Sequence, residues 1–421
     1  MTTTADATTA VSRQFWTYWS ASSASSVGSA VTGVALPLTA VLVLGASALQ
    51  MGLLAAAAYV AWLVIGLPAG ALVRHLPLRG TQVAMDVVRA LAIGSVPVAW
   101  WLGSLSIAHL IGVALVISFA DVVFFVANST FLPSVVPKEQ LQARNSLMSG
   151  THAVSQLGGP SLGGVLVQLL GAVPTLLVDS ASYLVSAALL RSLPDRTSPR
   201  EESRAPIVEQ IREGWHFVTR HPVMNPCLWD ATATNFVCGG QMALFAIYLV
   251  RVVDAPAGLV GFLLAAEGVG ALVGASVCPA LVRRIGSARA CLAGGVVSVG
   301  GAFLIPLGSG AAAWLLFALG NVVFAGGVVV LSTTTRTYRQ VATPPELLSR
   351  VLATVRFVSW GAIPVGGVAA GALGGWLGPR PALFVLAALS VLSPLVLFLS
   401  PIRRMRDFPD DATVQTSRDL I

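Results

Sequence analysis

The sequence predicts an all-α membrane protein with twelve transmembrane helices in two pseudo-symmetric six-helix bundles. Composition is the first observation behind this. Of 421 residues, 55% are hydrophobic and 10% charged, whereas soluble domains carry about 25% charge to face water. The mean hydropathy is +0.81. The second observation is the spacing of the charges: none lies between Arg13 and Arg74, Arg89 and Asp121, Arg144 and Asp179, or Arg289 and Arg336. A crossing takes about 20 apolar residues, so the first and last of these tracts each hold two. The third is that nearly all basic residues fall on one set of alternate loops. Soluble enzyme, fibre and disordered chain are excluded, and Gly- and Ala-rich runs without polar alternation exclude an outer-membrane barrel.

In chain order the spans are expected at about 15–44, 49–73, 82–103, 107–131, 146–170, 174–191, 224–249, 257–281, 289–308, 312–336, 351–375 and 381–401. The links Gly45 to Ala48, Gly103 to Ser106 and Gly171 to Val173 are very short. Assigned to loops, one side receives Arg13, Arg74, Arg79, Lys138, Arg144, the run Arg191 to Arg220, Arg283, Arg284, Arg289, Arg336, Arg339, Arg350 and the tail arginines. The other side receives only Arg251 and Arg380. The positive-inside rule then places both termini in the cytoplasm of a plasma or inner membrane. The net charge of +7 is thereby a topological address that attracts anionic lipid, so no nucleic acid is expected. The polar start MTTTADATTAVSR lacks a signal-peptide pattern. Cys227, Cys238, Cys278 and Cys291 form no CxxC pair and read as apolar fillers, with no metal site expected.

Four segments follow: an N-terminal bundle at 1–191, a cytoplasmic linker at 192–222, a C-terminal bundle at 223–402 and a cytoplasmic tail at 403–421. In the linker, Ile207, Ile211, Trp215 and Val218 oppose Glu209, Arg212, Glu213 and His216. That pattern suits a helix at the membrane interface bridging the two halves.

The halves echo each other at an offset near 204 residues. Gly66-Leu-Pro-Ala-Gly70 answers Gly270-Ala-Leu-Val-Gly274, and Pro160-Ser-Leu-Gly-Gly164 answers Pro364-Val-Gly-Gly367. The stretches PSVVPKEQLQARNSL and RQVATPPELLSRVL precede the latter pair. Parallel repeats place a transport site between halves that rock about it.

Twelve spans, a central linker and like-oriented halves resemble the major facilitator superfamily. LPSVVPKEQLQARNSL, GPSLGG, VDSASYLVSAALL and EGWHFVTRHP are similar to the branch holding the enterobactin exporter and the macrolide-efflux permeases. The resemblance implies that Gly159-Pro160-Ser-Leu-Gly163-Gly164 is an exporter-type motif, and that span 2 meets span 11 and span 5 meets span 8. It also implies an acid in the loop after span 2, where this chain has Arg74. Arg79, Asp86 and Arg89 keep the rest of a cytoplasmic charge cluster, with Arg144 and Arg350 at matching loop positions.

Gly66, Gly70, Gly159, Gly163, Gly270, Gly274 and Gly367 are spaced for close helix packing and for sliding gate edges. Pro160 and Pro364 each free a backbone carbonyl. An acid at mid-bilayer costs about 2.5–3.5 kcal/mol, which singles out Asp121 in span 4 and Glu267 in span 8 as proton carriers. Asp86, Asp179 and Asp230 lie nearer span ends and read as structural. Trp19, Asn128, Gln156, Asn235, Gln241 and Asn321 are candidate contacts to a substrate in the central cavity.

The expected function is proton-coupled efflux of a drug, siderophore or other secondary metabolite by alternating access. An importer or facilitator of a neutral solute is the alternative, and a non-transporting receptor or scaffold the second. No nucleotide-binding loop, cofactor motif or nucleophile–base spacing appears, so neither ATP, cofactor nor enzymatic activity is expected. The partners are then a small-molecule substrate, protons and the bilayer, with the chain acting as a monomer.

Overall fold

A computed structural model describes residues 4–66, 76–137, 140–195 and 207–409. Gly70 and Arg74 lie outside the described residues. The chain is an all-α multi-pass membrane protein. Eleven of its described helices are long and apolar enough to cross a membrane, and the shorter Ala48–Val64 supplies the twelfth.

Span 1 is Thr4–Leu38, closed by a π-turn at Thr39–Val43. Span 2 is Ala48–Val64, span 3 Leu78–Trp101, span 4 Ile107–Val135, span 5 Leu141–Leu170 and span 6 Ala172–Arg191. A linker helix, Ile207–Arg220, precedes span 7 at Met224–Arg251. Spans 8 to 11 are Ala257–Ile285, Ser287–Leu304, Ala311–Val341 and Pro345–Leu377. Span 12 is Pro379–Phe398, one crossing as expected, with a turn at Val391 between Pro379–Ser390 and Leu392–Phe398. Pro394 cannot donate to the carbonyl four residues earlier and its ring crowds that turn, so the helix breaks at Val391.

Local sequence sets the helix starts. Ser47 and Gln50 form a capping box, each side chain accepting the other's backbone N–H, at 3.3 and 2.8 Å. Spans 6 and 12 begin alike. Gly171 (φ 89, ψ 160) and Gly378 (φ 89, ψ 158) take the same left-handed corner, each with the ring of a proline three residues on against it, at Pro174 and Pro381. A residue with a Cβ is strained at this φ. The sixth and last spans thus share one backbone start.

The contacts group the chain into two compact units. The first holds Met1–Gln50, Ala57–Ser203 and Ala255–Ala265; the second holds Met51–Ala56, Arg204–Asp254 and Ala266–Ile421. The first unit has an apolar cluster around Phe15, Tyr18, Leu78, Phe131 and Leu190. In the second, Val218, Met224, Cys227, Cys291, Val351 and Leu397 pack together.

Among its described residues the linker holds one helix, Ile207–Arg220. Val218 is buried but Trp215 is exposed, because the helix docks through Gly214 onto span 11. A Cβ at Gly214 would stand 2.7 Å from the Arg350 carbonyl, and Glu213 ion-pairs with Arg350 across the same contact. The linker thus packs on its own unit through Gly214 and Val218, with Trp215 left exposed. The start of the tail also folds back: the Ser287 N–H donates to Asp407 at 2.8 Å and the Phe408 N–H to the Ser287 hydroxyl at 2.8 Å.

Candidate functional site

Arg89 is the centre of a buried polar network in the first unit. It sits on span 3 one turn after Asp86, a spacing that puts both on one helix face. Its guanidinium donates to Asp86, and to Asp121 of span 4 at 2.8 Å. It also stands 4.1 Å from the ring centre of Phe124 and 4.5 Å from that of Tyr183. Asp86 is wholly buried, while 43% of the Asp121 side chain remains accessible. The Tyr183 hydroxyl reaches Ser29 of span 1 at 2.9 Å. Asp179, on the same span as Tyr183, is buried and accepts from Ser182 at 3.0 Å. Spans 3, 4 and 6 are thereby tied to a single cation by acids and aromatic faces, the two kinds of partner that offset burial of a guanidinium, and span 1 joins through Ser29.

Two further pairs line the same unit. The Tyr18 hydroxyl donates to Asn128 Oδ1 at 2.6 Å, and the Trp19 indole N–H donates to Thr151 at 2.9 Å. Gln156 is exposed on span 5. In the second unit Gln241 and Asn321 are buried, and the Asn321 Nδ2 has no hydrogen-bond partner. Asn235 is half-buried, and Glu267 is exposed beside Cys238 with no ion pair among the described residues.

The expected cytoplasmic charge cluster separates into unrelated contacts. Arg79 donates to the Leu193 carbonyl at 2.8 Å and pairs with Asp195 at 3.4 Å. Arg144 lies over the Phe15 ring, 4.1 Å from its centre, and Arg350 holds Glu213. Asp86 and Arg89 are interior. Asp179 and Asp230, expected near water at span ends, are fully buried as well.

The small-residue rows divide likewise. Gly159 and Gly163 face Ala30, Val31 and Val34 of span 1, while Gly270 and Gly274 face Val322 and Gly326 of span 10. Span 5 meets the start of span 8 through the adjacent row: a Cβ on Gly164 would lie 2.7 Å from the Gly258 carbonyl, and Gly261 approaches the Pro160 carbonyl. Gly52 meets span 11 at Gly367, where a Cβ would lie 2.5 Å from the carbonyl, and at Gly371. Gly66 lies in a turn against the Trp62 carbonyl. Pro364 is inside the unbroken span 11. All four cysteines are free, and no group of metal-ligating residues occurs among the described residues.

Known proteins agree with this architecture. The multidrug efflux pump Tap of Mycolicibacterium fortuitum is 28% identical over 397 residues, 90% of this chain and 93% of its own. The MFS-type transporter y4rN of Sinorhizobium fredii (strain NBRC 101917 / NGR234) is 26% identical over 371 residues, covering 86% of this chain and 87% of its own. Among solved structures, the nucleoside transporter NupG superposes with a TM-score of 0.74 at 11% identity, covering 93% of this chain and 99% of that one. A bacterial homologue of the iron transporter ferroportin in its inward-facing state gives 0.71 at 18% identity, covering 92% and 98%. The family described as transmembrane secretion effector matches residues 7–418. The chain belongs to that family and is a membrane transporter of the major facilitator type.

Proposed function

We propose that this transporter is a proton-coupled exporter of a medium-sized amphipathic compound such as a drug, a siderophore or another secondary metabolite. The observation that carries the reading is the position of Asp121, which has one side on Arg89 and the other accessible. Arg89 stands between two carboxylates, so the trio carries one excess negative charge when all three are ionised. A proton on Asp121 brings it to neutrality and weakens the bond between spans 3 and 4, while Asp86 keeps hold of the guanidinium. Proton exchange at Asp121 thereby changes what fastens two helices together, which is what coupling by alternating access requires. Glu267 is the counterpart in the second unit. The likeness to the Tap efflux pump supports the outward direction. In the first unit Trp19, Asn128 and Gln156, and in the second Asn235, Gln241 and Asn321, carry amide and indole groups suited to a neutral or amphipathic ligand.

The carriers sit in a bacterial plasma membrane with both termini in the cytoplasm, as the arginine distribution directs. The test is accumulation of a panel of antibiotics and siderophores in cells with and without the protein, plus and minus an uncoupler. Lower accumulation that the uncoupler reverses is expected for at least one compound. Equal accumulation throughout would overturn export. Export that persists with the uncoupler present would overturn proton coupling.

A further inference from the structure

Asp230 contributes nothing to the network around Arg89, yet its surroundings are the more unusual. It lies one turn and a half into span 7 and is wholly buried. The Ser393 hydroxyl, on the second piece of span 12, donates to its Oδ1 at 2.5 Å, and Thr234 donates to Ser393 at 3.2 Å. Its Oδ2 is buried with no hydrogen-bond partner. No Lys, Arg or His among the described residues comes within ion-pairing distance. The charged and titratable groups that act on it are Cys227 on its own helix, Cys291 on span 9 and Arg339 on span 10. Arg339 is engaged elsewhere, with Nε on the Thr335 carbonyl at 3.1 Å and Nη2 on the Thr335 hydroxyl at 3.2 Å.

We propose that Asp230 is a further proton-binding site, occupied in this conformation, whose release requires spans 7 and 12 to part. An ionised carboxylate with one bare oxygen and no paired cation is the costly state in a dry interior, and the neutral acid is the tolerated one. The neutral acid also fits the donors present. Oδ1 acts as the carbonyl oxygen for Ser393, and Oδ2 carries the proton. Thr234 donates to Ser393 and Ser393 to Oδ1, so neither hydroxyl accepts from the acid, and the proton on Oδ2 leaves only when water reaches that buried oxygen. That access needs the packing between span 7 and span 12 to open. Proton occupancy is independent of the export reading; only its use in coupling rests on that reading.

Infrared spectra of the purified full-length protein at neutral pH test the occupancy. The wild type should show the carbonyl stretch of a protonated carboxylic acid that disappears in Asp230→Asn and shifts in Ser393→Ala, which loses the donor. Asn keeps the Ser393 acceptor and places an NH2 where the acid carries its proton, so its thermal midpoint should match wild type. Absence of any band assignable by these two variants would overturn the proposal, as would loss of the band on adding sodium at constant pH. In vesicles, Asp230→Asn should lose transport driven by a pH gradient and retain downhill flux. A band without that loss would overturn the coupling role alone. A wild type that moves no compound would overturn the export reading and leave the occupancy standing.

Discussion

Arg89 and Asp121 are joined at 2.8 Å across spans 3 and 4, with the arginine buried and the acid partly accessible. The bond therefore has a protected end and an exchangeable end, and its two members answer differently to substitution.

Replacing Arg89 removes the cation that pairs with both Asp86 and Asp121. Arg89→Ala should destabilise the protein by about 3–5 kcal/mol, as when one partner of a buried pair is deleted. Arg89→Lys should recover part of this, since an ammonium keeps the charge but cannot serve two acids and stack on two rings at once. The thermal midpoint of detergent-solubilised protein measures both, and the order wild type, Lys, Ala is expected.

Asp121→Asn should separate coupling from passage. The amide mimics the protonated acid, so downhill flux of a transported compound should persist while accumulation against its gradient fails. Vesicle uptake with and without an imposed pH gradient reads the two rates. An Asp121→Asn variant that still concentrates substrate would remove this acid from the coupling path.

At the span 5–span 8 crossing, Gly164→Val places methyl groups into the Gly258 and Gly261 backbone. Overpacking of this kind costs about 1–3 kcal/mol, so the protein should still reach the membrane and transport should stop. Val at Gly158, where an added Cβ meets nothing, is the control. Immunoblots of the membrane fraction beside efflux assays distinguish lost transport from lost protein.

The linker helix gives a contrast between charge and shape. The Glu213–Arg350 pair is partly exposed, so Glu213→Gln should cost about 1 kcal/mol or less. Gly214→Leu drives a side chain into the Arg350 carbonyl and Thr354 and should loosen the helix outright. Protease cleavage around residue 207 should accelerate strongly in the second variant and little in the first.

Orientation is checked by single cysteines in a background without the native four. Cysteine at Ser104 should react with an impermeant maleimide in intact cells, and cysteine at Arg212 only after permeabilisation.

The twelve crossings were legible because lipid excludes charge so strongly that the gaps between Arg13 and Arg74, or Arg289 and Arg336, admit no other use. Helix ends were less so: the break at Val391 depends on one proline acting through its local turn. Asp121 stood out by its depth, and the structure places it on Arg89. Arg89 was assigned to the surface with Arg79 because both follow the same loop, yet only Arg89 turns inward. The available signal was the Asp86-x-x-Arg89 spacing on an otherwise apolar helix. Asp179 and Asp230 were misplaced for a shared reason. Depth along its own span says how far a residue is from the loop, whereas burial depends on which helix covers it, and a single chain does not announce its neighbours. The glycine rows were read as packing surfaces, but the partner of each row turns on a rotation of one residue, as Gly163 and Gly164 face different helices.

The matched corners at Gly171 and Gly378 have a consequence for how the halves divide their labour. The scaffold that launches the final helix of each half is a copy, down to the proline that buttresses it, while the ionisable groups beyond it are not: one half opposes its acids with an arginine, the other answers a lone acid with hydroxyls. Twin frames with unlike electrical loads mean that the same substitution at matching positions of the two halves meets different surroundings.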